Sequence, residues 1–360
     1  MKELRLMKGN EAFAEAAIRA GADGYFGYPI TPQSEVMEYL MAEKPHERTG
    51  MVVLQAESEV AAINMVYGGA ACGKRVLTSS SSPGISLKQE GISYIAGAEL
   101  PCVILNVVRG GPGLGTIQPS QSDYFQSTKG GGHGDYKLIV LAPSSVQEMA
   151  DFARLGFDLA FKYRNPVLVL SDGAIGQMME KVELDEQRPR FTEAEIISNT
   201  PWATTGKTID RERNIVTSLD LDSGKQELHN LALQAKYREI EHNETRYEAI
   251  SCDDAEYLIV AYGTSARLSQ KAVDLLRAEG YKVGLLRPIT LFPFPSAIIA
   301  KLAGQVKGIL TVEMSAGQMI EDVRLAVGCR VKVEHFGRMG GIIPSPTEVV
   351  EAMHTKIIGG

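Results

Sequence analysis

At 360 residues, with 44% hydrophobic and 22% charged side chains, the chain is long enough for two ordinary globular domains. A formal net charge of −7 without any basic stripe excludes nucleic acid and anionic membrane as main partners. No apolar run approaches the ~20 residues that span a bilayer, and MKELRLMKGNEAFAEA lacks the apolar core of a secretory signal, so a cytoplasmic protein is expected.

Over residues 1–175 helical and extended patterns alternate. EAFAEAAIRAG reads as a helix, DGYFGYPI as a strand, and LQAESEVAAINMVYGGAACG as a short strand followed by a helix. KRVLTSS, PCVILNVV, KLIVLAP and PVLVLSD read as further strands, with a helix over SVQEMADFARLGFDLAFKY. Near-continuous Val, Ile and Leu belongs to strands covered on both faces, so the expected class is α/β with a doubly wound, mostly parallel sheet. Its loops YPITPQS, SSSSPGIS and RGGPGLGTIQPSQSD leave the carboxyl ends of strands, where such sheets bind ligands. Residues 176–250 are charge-rich and read as a connector with one exposed helix. Alternation resumes over residues 251–360, through YLIVAYGTS, GILTVEM and VKVEHFG, as a second, smaller α/β domain.

Four scattered cysteines and six dispersed histidines form neither a disulfide framework nor a ligand set, so no metal bound by this chain alone is expected. GGAACGKR nearly spells a phosphate loop, but there a helix ends and a strand follows, and Arg75 stands where a hydroxyl would hold magnesium; Gly73 reads as a helix stop. GGPGLG is broken by Pro112 and precedes no helical pattern, so it reads as a substrate loop rather than a dinucleotide fingerprint.

Glu59 sits among small and apolar residues, one turn before Ile63 on the face expected to go inward, whereas Glu57 points elsewhere. Two readings are open for it. As a first-turn carboxylate it would gain ~0.3–1 kcal/mol from the helix dipole. Turned inward, it must be protonated, paired or awaiting a ligand, because burying an unpaired carboxylate costs far more. Arg109, ending the apolar run VILNVV, is either a solvated strand end or a clamp for a carboxylate or phosphate. Thr31, between Pro29 and Pro32, is either a helix cap or a side chain held in a fixed pose.

Taken together, GNEAFAEAAIRAG, GYPITPQSE, LQAESEVAAINMVYGGAACG, TSSSSPGISLKQEGISYIAGAELPCVI, RGGPGLGTIQPSQSDYFQ and KGGGHGDYKLIVLAPSSVQE resemble the 2-oxoacid:ferredoxin oxidoreductases. The resemblance is to the subunit carrying the pyrimidine-binding half of a thiamine diphosphate site, and it is strongest to the branched-chain member acting on 3-methyl-2-oxobutanoate. It implies a thiamine pyrimidine-binding domain followed by a transketolase C-terminal-like domain. It also implies that Glu59 hydrogen-bonds N1′ of the aminopyrimidine and favours its imino form, with Glu57 as the rival. By the same carry-over, Arg109 would pair the oxoacid carboxylate, Thr31 would donate to an oxoacid oxygen, and Tyr28 and Ser82 would contact the cofactor.

No GDG with a following Asn is present, since Ser171 precedes Asp172-Gly173, and there is no ferredoxin-type cysteine run. The resemblance therefore implies partner subunits carrying Mg2+ with the diphosphate, [4Fe-4S] clusters and the coenzyme A-handling part, with ferredoxin as acceptor. On this reading Gly68 and Gly69 would let the Glu59 helix approach a neighbouring subunit. Two alternatives stand beside it: the same role toward 2-oxoglutarate, and a non-catalytic assembly subunit.

Overall fold

A computed structural model describes residues 3–207, 209 and 212–359. In chain order its first elements are β1 (Glu3–Lys8), α1 (Gly9–Arg19), β2 (Gly24–Gly27), α2 (Ser34–Glu43), α3 (Pro45–Thr49), β3 (Val52–Gln55), α4 (Glu59–Ala71) and β4 (Val76–Ser80). These are followed by α5 (Ser82–Gly97), β5 (Val103–Val108), α6 (Tyr124–Thr128), β6 (Ile139–Leu141), α7 (Val146–Tyr163), β7 (Val167–Asp172), α8 (Gly173–Gln177) and β8 (Met179–Leu184). Next come α9 (Glu193–Asn199), α10 (Ser223–Glu244), β9 (Tyr247–Ile250), β10 (Tyr257–Ala261), α11 (Gly263–Ala278), β11 (Val283–Pro288) and β12 (Thr290–Phe292). The last are α12 (Ser296–Leu302), β13 (Gly308–Glu313), α13 (Met319–Val327), β14 (Lys332–Gly337), α14 (Pro346–Met353) and a closing π-turn, His354–Ile358.

The larger sheet runs β12-β6-β7-β5-β4-β2-β3 and is parallel apart from β12, which pairs antiparallel with β6. Every residue of β4, β5 and β7 is buried, as strands sandwiched between helices on both faces must be. Helix placement follows local chemistry: Ser58 caps α4 by accepting from the Ala61 N–H at 3.2 Å, and Ser145 caps α7 by accepting from Glu148 N–H at 3.1 Å. Gly73, at φ +74°, ends α4 before β4. A β-carbon on Gly91 of α5 would lie 2.5 Å from Ile63, so α4 and α5 approach closely at that point.

The smaller sheet runs β14-β13-β10-β11-β9, with only β9 antiparallel. The doubly wound α/β class with a second, smaller α/β sheet is therefore present as expected. Between residues 176 and 250 the chain forms β8, which pairs with β1, then α9 and the long α10, and finally β9. The two sheets are locked together in several places. Arg287 of β11 reaches both oxygens of Glu148 on α7, at 2.9 and 2.7 Å, and Glu248 of β9 at 2.9 Å. Gln121, in the loop before α6, exchanges backbone and side-chain hydrogen bonds with Met314, Tyr262 and Ser265 of the smaller unit. Among the described residues no helix is long and apolar enough to cross a membrane.

Candidate functional site

The carboxyl ends of β2, β4 and β5 converge on the first turn of α5, and the polar groups of interest gather there. Glu59 opens α4 with 7% of its surface exposed, whereas Glu57 is exposed. Beside it stands Gly84 of α5, where a β-carbon would come 2.8 Å from Glu59 Oε1 and 2.1 Å from Ser80 Oγ. The hydroxyls of Ser80 and Ser81 are buried without a partner. The absence of a side chain at Gly84 thus lets the Glu59 carboxylate and the Ser80 hydroxyl pack directly against the first turn of α5. The Ser80 hydroxyl has no partner, and the Glu59 carboxylate makes no hydrogen bond among the described residues, so the two can receive the polar edge of a ligand.

Arg109 follows β5 and is 8% exposed. Its Nη atoms donate to the carbonyl oxygens of Thr31 and Leu114 at 3.0 and 3.1 Å, and its buried Nε has no partner. Two neutral carbonyls orient this guanidinium without neutralising it, which leaves a fixed cation ready for an anionic ligand. The structure brings Thr31 and Arg109 together through that first bond, and the Thr31 side chain is exposed beside it. The Ser82 hydroxyl is engaged with the backbone of Arg109, donating to its carbonyl at 3.2 Å and accepting from its N–H at 3.1 Å. Ser82 therefore ties α5 to the end of β5. Tyr28 is half-buried on the β2 loop, its carbonyl accepting from Gln33 at 3.1 Å.

Next to this cluster a cleft of about 380 Å³ opens between the sheets, lined by Ser82, Pro112, Asp123, Met314, Gln318 and Met339 among others. Among the described residues no Lys, Arg or His lines it. Asp123 accepts from Asn106 at 2.9 Å, and burial pushes its carboxyl above the ordinary range against that bond. Sequence reasoning missed Asp123 and Lys88. The buried Lys88 ammonium donates to Thr78 Oγ1 at 2.7 Å and to the Ser79 carbonyl at 3.0 Å.

Two sequence expectations concern small residues and metal chemistry. Gly68 faces open space, but Gly69 faces its own sheet, where a β-carbon would come 2.8 Å from Val76; only Gly68 is placed to meet a neighbour. The carboxylate of Asp172 is occupied internally, Oδ1 accepting from Ala174 N–H, Ile175 N–H and Thr264 Oγ1 at 2.9, 3.3 and 2.9 Å. It does not fit a magnesium-diphosphate site. Among the described residues no cluster of three or more His, Cys, Asp or Glu could hold a metal ion.

Comparisons with known proteins place the chain in a family. Residues 15–246 match the family described as "Pyruvate flavodoxin/ferredoxin oxidoreductase, thiamine diP-bdg", and residues 255–349 match "Pyruvate:ferredoxin oxidoreductase core domain II". The chain is 54% identical over 347 residues to ketoisovalerate oxidoreductase subunit VorB of Methanothermobacter thermautotrophicus, covering 96% of each. It is 37% identical to 2-oxoglutarate synthase subunit KorA of Archaeoglobus fulgidus, covering 97% of this chain and 99% of that one. Among solved structures it superposes on a 2-oxoglutarate:ferredoxin oxidoreductase from Magnetococcus marinus with TM-score 0.85 and 27% identity, covering 98% of this chain and 65% of that one. A split-gene transketolase, at TM-score 0.60 and 12% identity, shares the fold.

Proposed function

The chain belongs to the 2-oxoacid:ferredoxin oxidoreductases as one of their subunits, and we propose that it supplies the aminopyrimidine half of a thiamine diphosphate site shared with a partner subunit. The complex oxidatively decarboxylates a 2-oxoacid, passing the acyl group to coenzyme A and the electrons to ferredoxin, with release of CO2. The observation that carries this reading is that Glu59, packed at Gly84, and Arg109, bonded to Ser82, both lie against the first turn of α5. Both are buried, and neither is hydrogen-bonded to an opposite charge among the described residues.

When bound, thiamine diphosphate supplies a carbon nucleophile and a sink for the electron pair left by departing CO2. The residues of this chain hold and orient the reactants. Glu59 holds the proton at N1′ of the aminopyrimidine, with the Ser80 hydroxyl close by to meet a further polar edge. Tyr28 contacts the cofactor, and Ser82 serves it by fixing the first turn of α5 against the end of β5. Arg109 binds the oxoacid carboxylate and Thr31 donates to a neighbouring oxygen, so the 2-oxo carbon is presented in one orientation; positioning of this kind can account for several kcal/mol of barrier. Magnesium and the diphosphate, the iron–sulfur clusters, the coenzyme A-handling part and the ferredoxin contact belong to partner subunits, and the complex works in the cytoplasm. Residues 1–175, 176–250 and 251–360 then serve as pyrimidine-binding domain, linker and transketolase-like domain.

The substrate is 3-methyl-2-oxobutanoate. Support comes from the cation-free, methionine-bearing cleft beside Arg109, which suits a branched apolar chain and offers no partner to a second carboxylate, and from the 54% identity to a ketoisovalerate oxidoreductase subunit. The test is to co-purify the chain with its natural partner subunits and follow methyl viologen reduction with coenzyme A and a panel of 2-oxoacids. Branched-chain oxoacids should give the highest kcat/KM. Preference for 2-oxoglutarate would overturn the substrate, and no reduction with any oxoacid would overturn the function.

A further inference from the structure

Lys88 lies where a lysine is rarely found. It is 0% exposed, on the same face of α5 as Gly84 and one turn further on, sandwiched between α4 and β4. Since Gly84 touches Glu59 and Gly91 touches Ile63, the Lys88 side chain lies at the level between those two residues of α4. Thr78 and the Ser79 carbonyl accept two of its protons. No carboxylate forms an ion pair with it among the described residues, and Glu59 is the charged group that acts on it. Burial pulls its ammonium down to about 7, with Glu59 opposing. A methionine of similar volume would fill this site without the cost of burying a charge, so stability does not explain the lysine.

We propose that Lys88 is a positioning residue for Glu59, a buried amine anchored on β4 one turn beyond Gly84 that holds the Glu59 side chain in place against the first turn of α5. This rests on the function proposed above for Glu59.

The test uses the assembled complex loaded with thiamine diphosphate, comparing Lys88→Met, Glu59→Gln and the double variant. Deuterium exchange at the cofactor C2, read by NMR after acid quench, reports the proton chemistry without turnover. Cofactor affinity and Tm report binding and folding. In Lys88→Met we expect exchange to slow about tenfold or more, part of the ~10²–10⁴-fold that a positioned proton relay is worth. Affinity should change less than about threefold, Tm should be unchanged or higher, and the double variant should exchange no more slowly than Glu59→Gln. Wild-type exchange in Lys88→Met while Glu59→Gln is slow would overturn the role of Lys88 alone; wild-type exchange in Glu59→Gln would overturn the reading of Glu59 itself. Should Lys88→Met fail to assemble, Thr78→Val removes one anchor and decides: slowed exchange supports the proposal, unchanged exchange overturns it.

Discussion

Gly84 and Glu59 meet so closely that a β-carbon on the glycine would stand 2.8 Å from the carboxylate oxygen. The atoms such a β-carbon would crowd, Ser80 Oγ, Glu59 Oε1 and Glu59 Cγ, all belong to side chains rather than backbone, and alanine is the better helix former. Gly84→Ala should therefore fold and assemble with a Tm close to wild type, while displacing Glu59 and lowering kcat by about tenfold or more. A variant of normal stability and normal kcat would show that the position of Glu59 does not matter.

Arg109 is held by backbone carbonyls of Thr31 and Leu114 and has a free Nε. Losing a charge-assisted hydrogen bond of ~1.5–3 kcal/mol corresponds to about 10–150-fold in affinity. Arg109→Ala should raise KM for the oxoacid by that order, and Arg109→Lys should recover only part of the loss because a point charge cannot reproduce the planar fork. An unchanged KM in Arg109→Ala would remove it from the substrate site.

Among the described residues the cleft lining contains no cation, and Met339 contributes an exposed side chain to it. Met339→Lys should shift the ratio of kcat/KM for 2-oxoglutarate over 3-methyl-2-oxobutanoate upward by about tenfold, since a distal carboxylate would gain a partner and an apolar chain would lose one. A ratio unmoved by the new charge would place the substrate side chain elsewhere.

Much of the fold is legible in the sequence because it is written in local runs. VILNVV and VLVLSD could only be strands buried on both faces, and they are. Ser145 marks the start of α7, and Gly73 the end of α4. Pairings that depend on distant partners were not legible: β1 and β8 carry the mixed text ELRLMK and MEKVEL, half-exposed, and find each other across most of the larger unit. The site divides in the same way. Arg109 is readable as a charge at the end of an apolar strand. Lys88, within SLKQEG, gives no local signal, because its burial is created by Thr78 and Ser79 on another element. Asp123 escapes for the same reason, since Asn106 and the smaller sheet enclose it.

Glu15 of α1 is fully buried between Arg48, at 2.9 and 3.0 Å, and Arg19, at 2.7 Å. Burial pushes its carboxyl up, but the two guanidinium groups more than offset this and its pKa lies below the ordinary value. A lowered folded pKa means stabilisation that is present above the unfolded value of ~4.3 and lost as pH falls through the folded one. Glu15→Gln should lower Tm by several degrees at pH 6–7, and the gap to wild type should close below about pH 4. A gap independent of pH would mean that the loss is one of packing rather than charge.

The most direct measurement is turnover by the co-purified complex carrying Glu59→Gln, assayed as methyl viologen reduction with 3-methyl-2-oxobutanoate and coenzyme A. The amide keeps the shape of the side chain but cannot hold the proton at N1′, so turnover should fall by about 10²–10⁴-fold while subunit composition and Tm stay unchanged. A fully assembled variant turning over at the wild-type rate would contradict the account.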